Sequence, residues 1–402
     1  MHILIIPSWY YKRDNPVFGS FFREQAHALK RAGHRVGVIK PERSSVKILR
    51  DGISRWPHYI EIENDNGIPT YRHHGMAWMP SIPKRKALHW YCAGRSLYKK
   101  YCLDQGTPDI IHAHCSLYAG FLGMCLKQTF QTPLVVTEHS TAFALKQLKP
   151  FEMNFAQKVF LAADVRIAVS PSLGKLLSTL FGDAFQPWTY IPNVLDNRFS
   201  ADRIRIPGSH GKKAEFRWLN IGYLLKKKGQ ADLLKAFAKS FKSDKAVTLR
   251  IAGDGPLETE LKELAATLGI ADQVMFLGRI DRPQVFEELS QSDAFVLSSH
   301  NETFGVVIIE AMALGKPVVA TACGGPEHII EEAHGVLVPP QNVNALALAM
   351  HTLKTEISRF NPAAIRTSCI RRFGEELVVP QIEKAYADLL KPSAPFRVRN
   401  CK

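Results

Sequence analysis

"DAFVLSSHNETFGVVIIEAMALGKPVV", residues 293–319, passes from a β-rich apolar run through a polar turn into a second apolar segment. Asp293 to Ser299 suits a buried strand, His300 to Gly305 a turn, and Val306 to Leu314 a helix entered just after glycine. Glu302 falls in the turn and Glu310 in mid-helix, where a carboxylate is costly unless it is hydrogen-bonded. On one continuous helix, eight residues would turn about 800° and leave the two carboxylates roughly 80° apart. Because Glu302 precedes the helix, the turn can instead fold it back over the helix start. Both acids can then face one ligand, with the amides of Phe304, Gly305 and Val306 between them. Two partners would satisfy Glu310: the vicinal hydroxyls of a ribose, or a buried basic group.

The same strand–loop–helix alternation runs outward in both directions. "RWLNIGY", "VTLRIAG", "QVMFLG" and "DAFVLSS" are short apolar runs separated by helical patterns such as "QADLLKAFAKSF", with Leu233, Leu234, Phe237 and Phe241 on one face. Upstream, "HILIIP", a helix ending at Gly33 and "RVGVIK" open a β-α-β unit, and "PDIIHAH", "PLVVTEH" and "DVRIAVS" continue it. The pattern breaks at "YIPNVLDNRF" and restarts after the basic stretch "IRIPGSHGKKAEF". Two α/β halves joined near 193–207 are the expectation, in keeping with 402 residues, with ligands held at the carboxyl ends of the strands. The expected boundaries are 1–195, 196–375, and 376–402 for a last helix, free to cross back to the first domain, and a tail.

Composition narrows the class. The chain is 46% hydrophobic and 22% charged, as in globular proteins, and its net charge of +15 favours anionic partners. Seven cysteines without a C-x-x-C pair or zinc spacing read as reduced thiols. The apolar run Ile3 to Ile6 is too short for a signal peptide or membrane span, so a cytoplasmic protein is expected. No recognition helix, RNP-like strand or zinc spacing supports nucleic-acid binding. No G-x-G-x-x-G follows the first strand, which disfavours a dinucleotide-linked dehydrogenase.

Glycine-containing loops follow strands at "NPVFGS", "GYLLKKKG", "AGDGP" and "NETFG". Free amides at a helix start attract phosphate, and four such loops on both halves point to a phosphate cleft. Lys228, directly before Gly229, can offer a point charge to a diphosphate, whereas Lys226 and Lys227 read as a solvated run. His139, after the strand "PLVV", is a candidate to touch a sugar or a developing charge; His112 reads as structural, and His114 fits either reading. In "SIPKRKALHWYCAGRSLYKKYC", 81–102, cations beside Trp90, Tyr91 and Tyr98 suit either a helix against anionic lipid or an ordinary amphipathic helix with its aromatics inward.

These motifs, in this order, resemble glycosyltransferase family 4, retaining enzymes of the GT-B fold: two Rossmann-like domains facing each other across a cleft. The likeness rests on "NIGYLLKKKGQADLLKAF", "LRIAGDGPLETELKELAATLGIADQVMFLGRI" and the E-x7-E element with "AMALGKPVVATACGGPEHII", and more loosely on "PSWYYKRDNPVFGSFFREQAHALKRAGHRVGVI", "TEHS" and "YIPNVLD". The resemblance implies an acceptor-binding first domain and a nucleotide-sugar-binding second domain. It implies Glu310 at the donor ribose, Glu302 at hydroxyls of the transferred sugar, and Lys228 with the amides near Gly19 and Gly305 at the diphosphate. Arg279 and Ile280 would border the base, and His139 would lie near the reacting carbon. Such enzymes work without a metal ion or other cofactor. Tyr223 stands where many members carry arginine, so Lys226 or Lys227 is left as the second cation. The implied activity is transfer from a UDP-hexose or UDP-N-acetylhexosamine, a GDP-linked sugar fitting as well, to a lipid-linked or saccharide acceptor in lipopolysaccharide, capsule or exopolysaccharide synthesis. An epimerase of the same fold is the alternative.

Overall fold

The computed structural model describes residues 1–11, 19–44, 59–76, 83–182, 188–201, 204, 206 and 215–390, with the backbone alone at 43, 44, 76 and 83–86. Residues 15–18 of "NPVFGS", most of the joining stretch "IRIPGSHGKK", the tail from 391 and the side chains of Lys84, Arg85 and Lys86 lie outside the described residues.

The first lobe is built on strands β1 (His2–Pro7), β2 (Arg35–Ser44), β3 (Tyr59–Asp65), β4 (Ile68–Met76), β5 (Ile110–His114), β6 (Leu134–Glu138), β7 (Val165–Ala168) and β8 (Thr189–Tyr190). Their order is β3-β4-β2-β1-β5-β6-β7-β8, parallel except for the β3–β4 hairpin. Its helices are α1 (Ser20–Arg31), α2 (Pro83–Gln105), α3 (Phe121–Phe130), α4 (Pro150–Ala162) and α5 (Pro171–Phe181). β1, β5 and β6 are buried throughout, as a parallel sheet covered on both faces requires.

A short helix α6 (Asn197–Ser200) leads to the second lobe. There β9 (Phe216–Ile221), β10 (Val247–Ala252), β11 (Val274–Gly278), β12 (Ala294–Leu297), β13 (Val318–Thr321) and β14 (Gly335–Val338) form a parallel sheet in the order β11-β10-β9-β12-β13-β14. Helices α7 (Gln230–Phe241), α8 (Glu258–Thr267), α9 (Arg282–Gln291), α10 (Val306–Ala313), α11 (Val343–Thr355) and α12 (Pro362–Phe373) cover it. The strand order reverses between β9 and β12, and a doubly wound sheet opens a crevice at that point.

The last helix, α13 (Glu375–Leu390), packs on the first lobe. Val378, Val379, Ile382 and Tyr386 join Ile3, Ile5, Phe22, Val36 and Ile110 in one core. Polar bonds pin it: the Tyr386 hydroxyl lies 2.6 Å from His112 Nδ1, Arg31 Nη2 donates to Glu375 at 2.5 Å, and His34 Nε2 lies 2.7 Å from Glu383.

In α2 the aromatics of 81–102 turn inward, as the amphipathic alternative expects. Trp90, Leu97, Tyr98 and Tyr101 are buried in the first lobe's core while Arg95, Lys99 and Lys100 are exposed. The aromatics stay inside because burying such rings stabilises the fold by several kcal/mol, about 25 cal/mol for each Å² of apolar surface. Among the described residues no helix is long and apolar enough to cross a membrane.

Candidate active site

The loops after β9 and β12 meet at the strand reversal. After β9 the chain makes a 3-10 turn over Lys226–Lys228 and enters α7 through Gly229. Gly229 has φ +67°, and a Cβ there would lie 2.0 Å from Ser298 O, so only glycine lets the two loops close up. Ser298 Oγ donates to Lys228 O at 3.0 Å and His300 N to Lys227 O at 2.7 Å. This stitching brings Lys228 Nζ onto Glu302 Oε1, which also accepts from Ser299 Oγ at 2.9 Å. The backbone of Glu302 is fixed in turn, its N donating to Cys323 O at 3.1 Å and its O accepting from Gly325 N at 2.8 Å. α10 then starts at Gly305, φ +105°, where Ile308 N donates back to Gly305 O at 2.9 Å and the amides of Val306 and Val307 precede the first bonds of the helix. Phe304 is buried against Phe373, so its side chain serves the core and only its backbone is left for a ligand.

Glu310 is fully buried one turn further on. Its Oε1 accepts from Arg282 Nη2 at 2.6 Å, and the same Nη2 donates to Asp196 Oδ2 at 2.9 Å. Glu310 Oε2 has no partner among the described residues. Burial raises the Glu310 pKa, and Arg282 works against that rise. Of the two partners expected for this acid, the buried basic group is therefore present, and one carboxylate oxygen remains for a second.

Across the crevice stands the first lobe. Thr303 Oγ1 donates to His139 O at 2.9 Å, Lys227 Nζ to Thr141 Oγ1 at 2.9 Å, and Ser172 Oγ lies 2.6 Å from His328 Nε2. Lys227 is thus not a solvated lysine: it is half-buried between the lobes, and burial, then Lys228, lowers its pKa. Lys226 is exposed. His139 Nε2 lies 3.1 Å from His114 Nδ1, with the ring against Phe21 and Phe22, and its buried Nδ1 has no partner among the described residues. Burial, then His112, pushes His139 down to about 3, so the imidazole is neutral. His112 is held between Tyr386 and Thr137 Oγ1, the latter at 2.7 Å.

Gly19, in the left-handed region, caps α1, the helix whose Phe21 and Phe22 rings lie against His139. A cavity of about 190 Å³ between the lobes is lined by Tyr11, Ser20, Arg23 and Glu24 on one side and Arg198, Asp281, Arg282 and Pro283 on the other. Arg279, exposed and 3.9 Å from Asp254, and half-buried Ile280 directly precede that wall. A second cavity, about 370 Å³, opens beside His139 in the first lobe and includes Trp9, Lys40, Trp90, Ser116 and Glu138.

Sequence reasoning missed Glu138, Asp196 and Arg282. Glu138 is fully buried and accepts from Ser116 N at 2.9 Å, Ser116 Oγ at 2.7 Å, His139 N at 2.8 Å and Ser140 N at 2.8 Å, which locks the turn carrying His139. An acid ending a buried strand was the available signal. Asp196 shows itself as an N-cap, its Oδ1 accepting from Arg198 N at 2.9 Å.

Comparison with known proteins agrees with this architecture. Residues 19–199 match the family described as Glycosyltransferase Family 4, and residues 202–359 match Glycosyl transferases group 1. A glycogen synthase of Mycobacterium tuberculosis is 29% identical over 372 residues, covering 88% of this chain and 86% of the relative. The N-acetyl-alpha-D-glucosaminyl L-malate synthase of Bacillus anthracis is 31% identical, over 70% of this chain and 75% of its own. A putative teichuronic acid biosynthesis glycosyltransferase of Bacillus subtilis is 28% identical, over 87% and 88%. Among solved structures, sucrose-phosphate synthase of Thermosynechococcus elongatus superposes with TM-score 0.76 at 23% identity, over 98% of this chain and 100% of that one. The Anabaena protein HepE in complex with UDP-glucose gives 0.72 at 19%, over 96% and 100%. With both lobes matched and the relatives' length spanned, the chain belongs to glycosyltransferase family 4, and its two facing α/β lobes are the GT-B fold.

Proposed function

We propose that this glycosyltransferase moves a hexose or N-acetylhexosamine from a UDP-linked donor to a lipid-linked or saccharide acceptor, with retention at the anomeric carbon and without a metal ion. The observation that carries the reading is the Lys228–Glu302 pair at the strand reversal, facing the His139 turn across the crevice. HepE, similar in fold, binds UDP-glucose, and the Bacillus subtilis relative bears a name in teichuronic acid biosynthesis. These favour a UDP-sugar and a surface-polysaccharide pathway such as lipopolysaccharide, capsule or exopolysaccharide, placed in the cytoplasm.

In this reading the donor diphosphate lies over the start of α10. Breaking the bond from the anomeric carbon to phosphate leaves positive charge on the sugar and negative charge on the diphosphate. The Lys228 ammonium and the amides of Gly305 and Val306, with those near Gly19, stabilise the departing charge. Lys227, already between the lobes, supplies the second cation. Lys228 exchanges its contact with Glu302 for phosphate oxygens, and Glu302 turns to hydroxyls of the transferred sugar. The free Oε2 of Glu310 accepts from the ribose, and the backbone at Arg279 and Ile280 borders the base. Neutral His139 borders the reacting carbon, beside the first-lobe cavity that takes the acceptor. The acceptor oxygen attacks the face the phosphate leaves, and the departing phosphate oxygen takes its proton.

The test is a panel of UDP- and GDP-sugars offered with lipid-linked and oligosaccharide acceptors. Formation of a glycoside of unchanged anomeric configuration, lost on Glu302→Gln by about 100-fold or more, is expected. An isomerised free sugar without glycoside would identify an epimerase instead, and full activity of Glu302→Gln would refute the site.

A further inference from the structure

Glu310 cannot hold its own geometry, because it reaches from an apolar helix into a space where, among the described residues, one side chain hydrogen-bonds it. That side chain is Arg282, itself about one-tenth exposed and fixed from three directions. It sits at the first position of α9, where a capping box of Asp281 and Gln284 sets the backbone. Its guanidinium carbon lies 5.5 Å from the centre of the Phe199 ring, and its Nη2 donates to Asp196. Asp196 is in turn tied to Arg198 N, in the segment that joins the two lobes. Three carboxylates, Glu24, Asp196 and Glu310, thus surround two arginines, Arg198 and Arg282, at the point where α1, the joining segment, α9 and α10 converge.

The geometry points to Arg282 as the positioning residue of the donor site: it anchors Glu310 Oε1, presents Oε2 to the donor ribose, and through Asp196 ties that acid to the segment joining the lobes. The inference rests on the assignment of Glu310 to the ribose made above. An ionised carboxylate accepts stronger hydrogen bonds than a neutral carboxyl, and a buried carboxylate stays ionised only with a paired charge. Arg282 supplies that charge. Its two carboxylate partners are anchored on different elements, so its guanidinium stays in one place whether or not a ligand is bound.

The other charged or titratable groups facing this acid are few. Asp196 and Arg198 approach from the joining segment, and Glu24 from α1 by way of Asp196 and Arg282. On α12, Cys369 Sγ donates to Ile309 O at 3.1 Å, and Arg366 is spent on the carbonyls of Phe199 and Ala313. None of these replaces Arg282 as the direct partner of Glu310, so its loss leaves the upward push of burial on this acid unopposed by a paired charge.

The experiment uses the full chain and calorimetry with UDP or GDP, whichever the wild type binds more tightly, between pH 7 and 9. Wild type and Glu310→Gln should each show an affinity that varies little with pH, the variant binding about tenfold more weakly. Arg282→Gln should bind about tenfold more weakly at pH 7 and recover as the pH rises and Glu310 ionises. Arg282→Gln combined with Glu310→Gln should be no weaker than Glu310→Gln alone, because both changes remove one interaction. Additive losses, or a loss in Arg282→Gln that is the same at every pH, would overturn the inference. Should Arg282→Gln not fold, Arg282→Lys decides: a severalfold loss with little dependence on pH supports it, and wild-type affinity overturns it. If Glu310→Gln itself binds as wild type does, the ribose assignment has failed and the inference falls with it. If Glu310→Gln is weakened while both Arg282 variants are normal, only the inference has failed.

Discussion

Glu138 is the residue on which the shape of the turn carrying His139 depends. Each of its oxygens takes two donors, and glutamine would turn an amide N–H toward groups that themselves donate. Glu138→Gln is therefore expected to lower stability by about 2–3 kcal/mol and to reduce transfer together with it, as read by denaturant unfolding and turnover. The histidines next to it set an acid limit. Burial lowers His112 and His139 to about 3 and His114 well below its ordinary value, whereas the unfolded chain titrates near 6.5. The unfolded state then binds more protons between those values, so the stabilisation is fully present above about 6.5 and is lost as the pH falls toward 3. The melting temperature should drop steadily from pH 7 to pH 4.5. A flat profile would show that these imidazoles are solvated. Sequence made His139 and Glu302 visible, since polar residues at strand ends stand out from apolar runs. Arg282 stayed hidden: it lies 28 positions from Glu310 and 86 from Asp196, and only the folded chain joins them.

At the level of elements, α13 is the strap that closes the first lobe. Tyr386 is fully buried and its hydroxyl meets His112, so Tyr386→Phe should cost about 1 kcal/mol and Tyr386→Ala about 3–5 kcal/mol. Thermal unfolding of the two variants checks this; equal effects would mean that the ring contributes nothing beyond its hydroxyl. The strands that feed the crevice were legible because buried parallel strands are unbroken apolar runs, and α10 was legible from Gly305 onward. The β3–β4 hairpin escapes a reading based on strand–helix alternation, although Asn66 and Gly67, both at positive φ, are its turn signal. The direction of α2's aromatics was not legible, because the same amphipathic stripe serves a core or a membrane until the neighbouring surfaces are known.

The whole molecule is two lobes that meet along a seam. The lobes touch at Thr303 with His139, Lys227 with Thr141 and Ser172 with His328, while Asp196 and Arg282 hold the joining segment to the second lobe. The strand order that folds each lobe also brings its loops to that seam. The most direct test of the central claim, a nucleoside diphosphate gripped between the lobes by Lys228, is calorimetric titration of wild type and Lys228→Met with UDP and GDP. Saturable binding of one nucleotide to the wild type, weakened about 10- to 100-fold in the variant at an unchanged melting temperature, is predicted. Equal affinity in the two proteins, or no binding to the wild type, would contradict it.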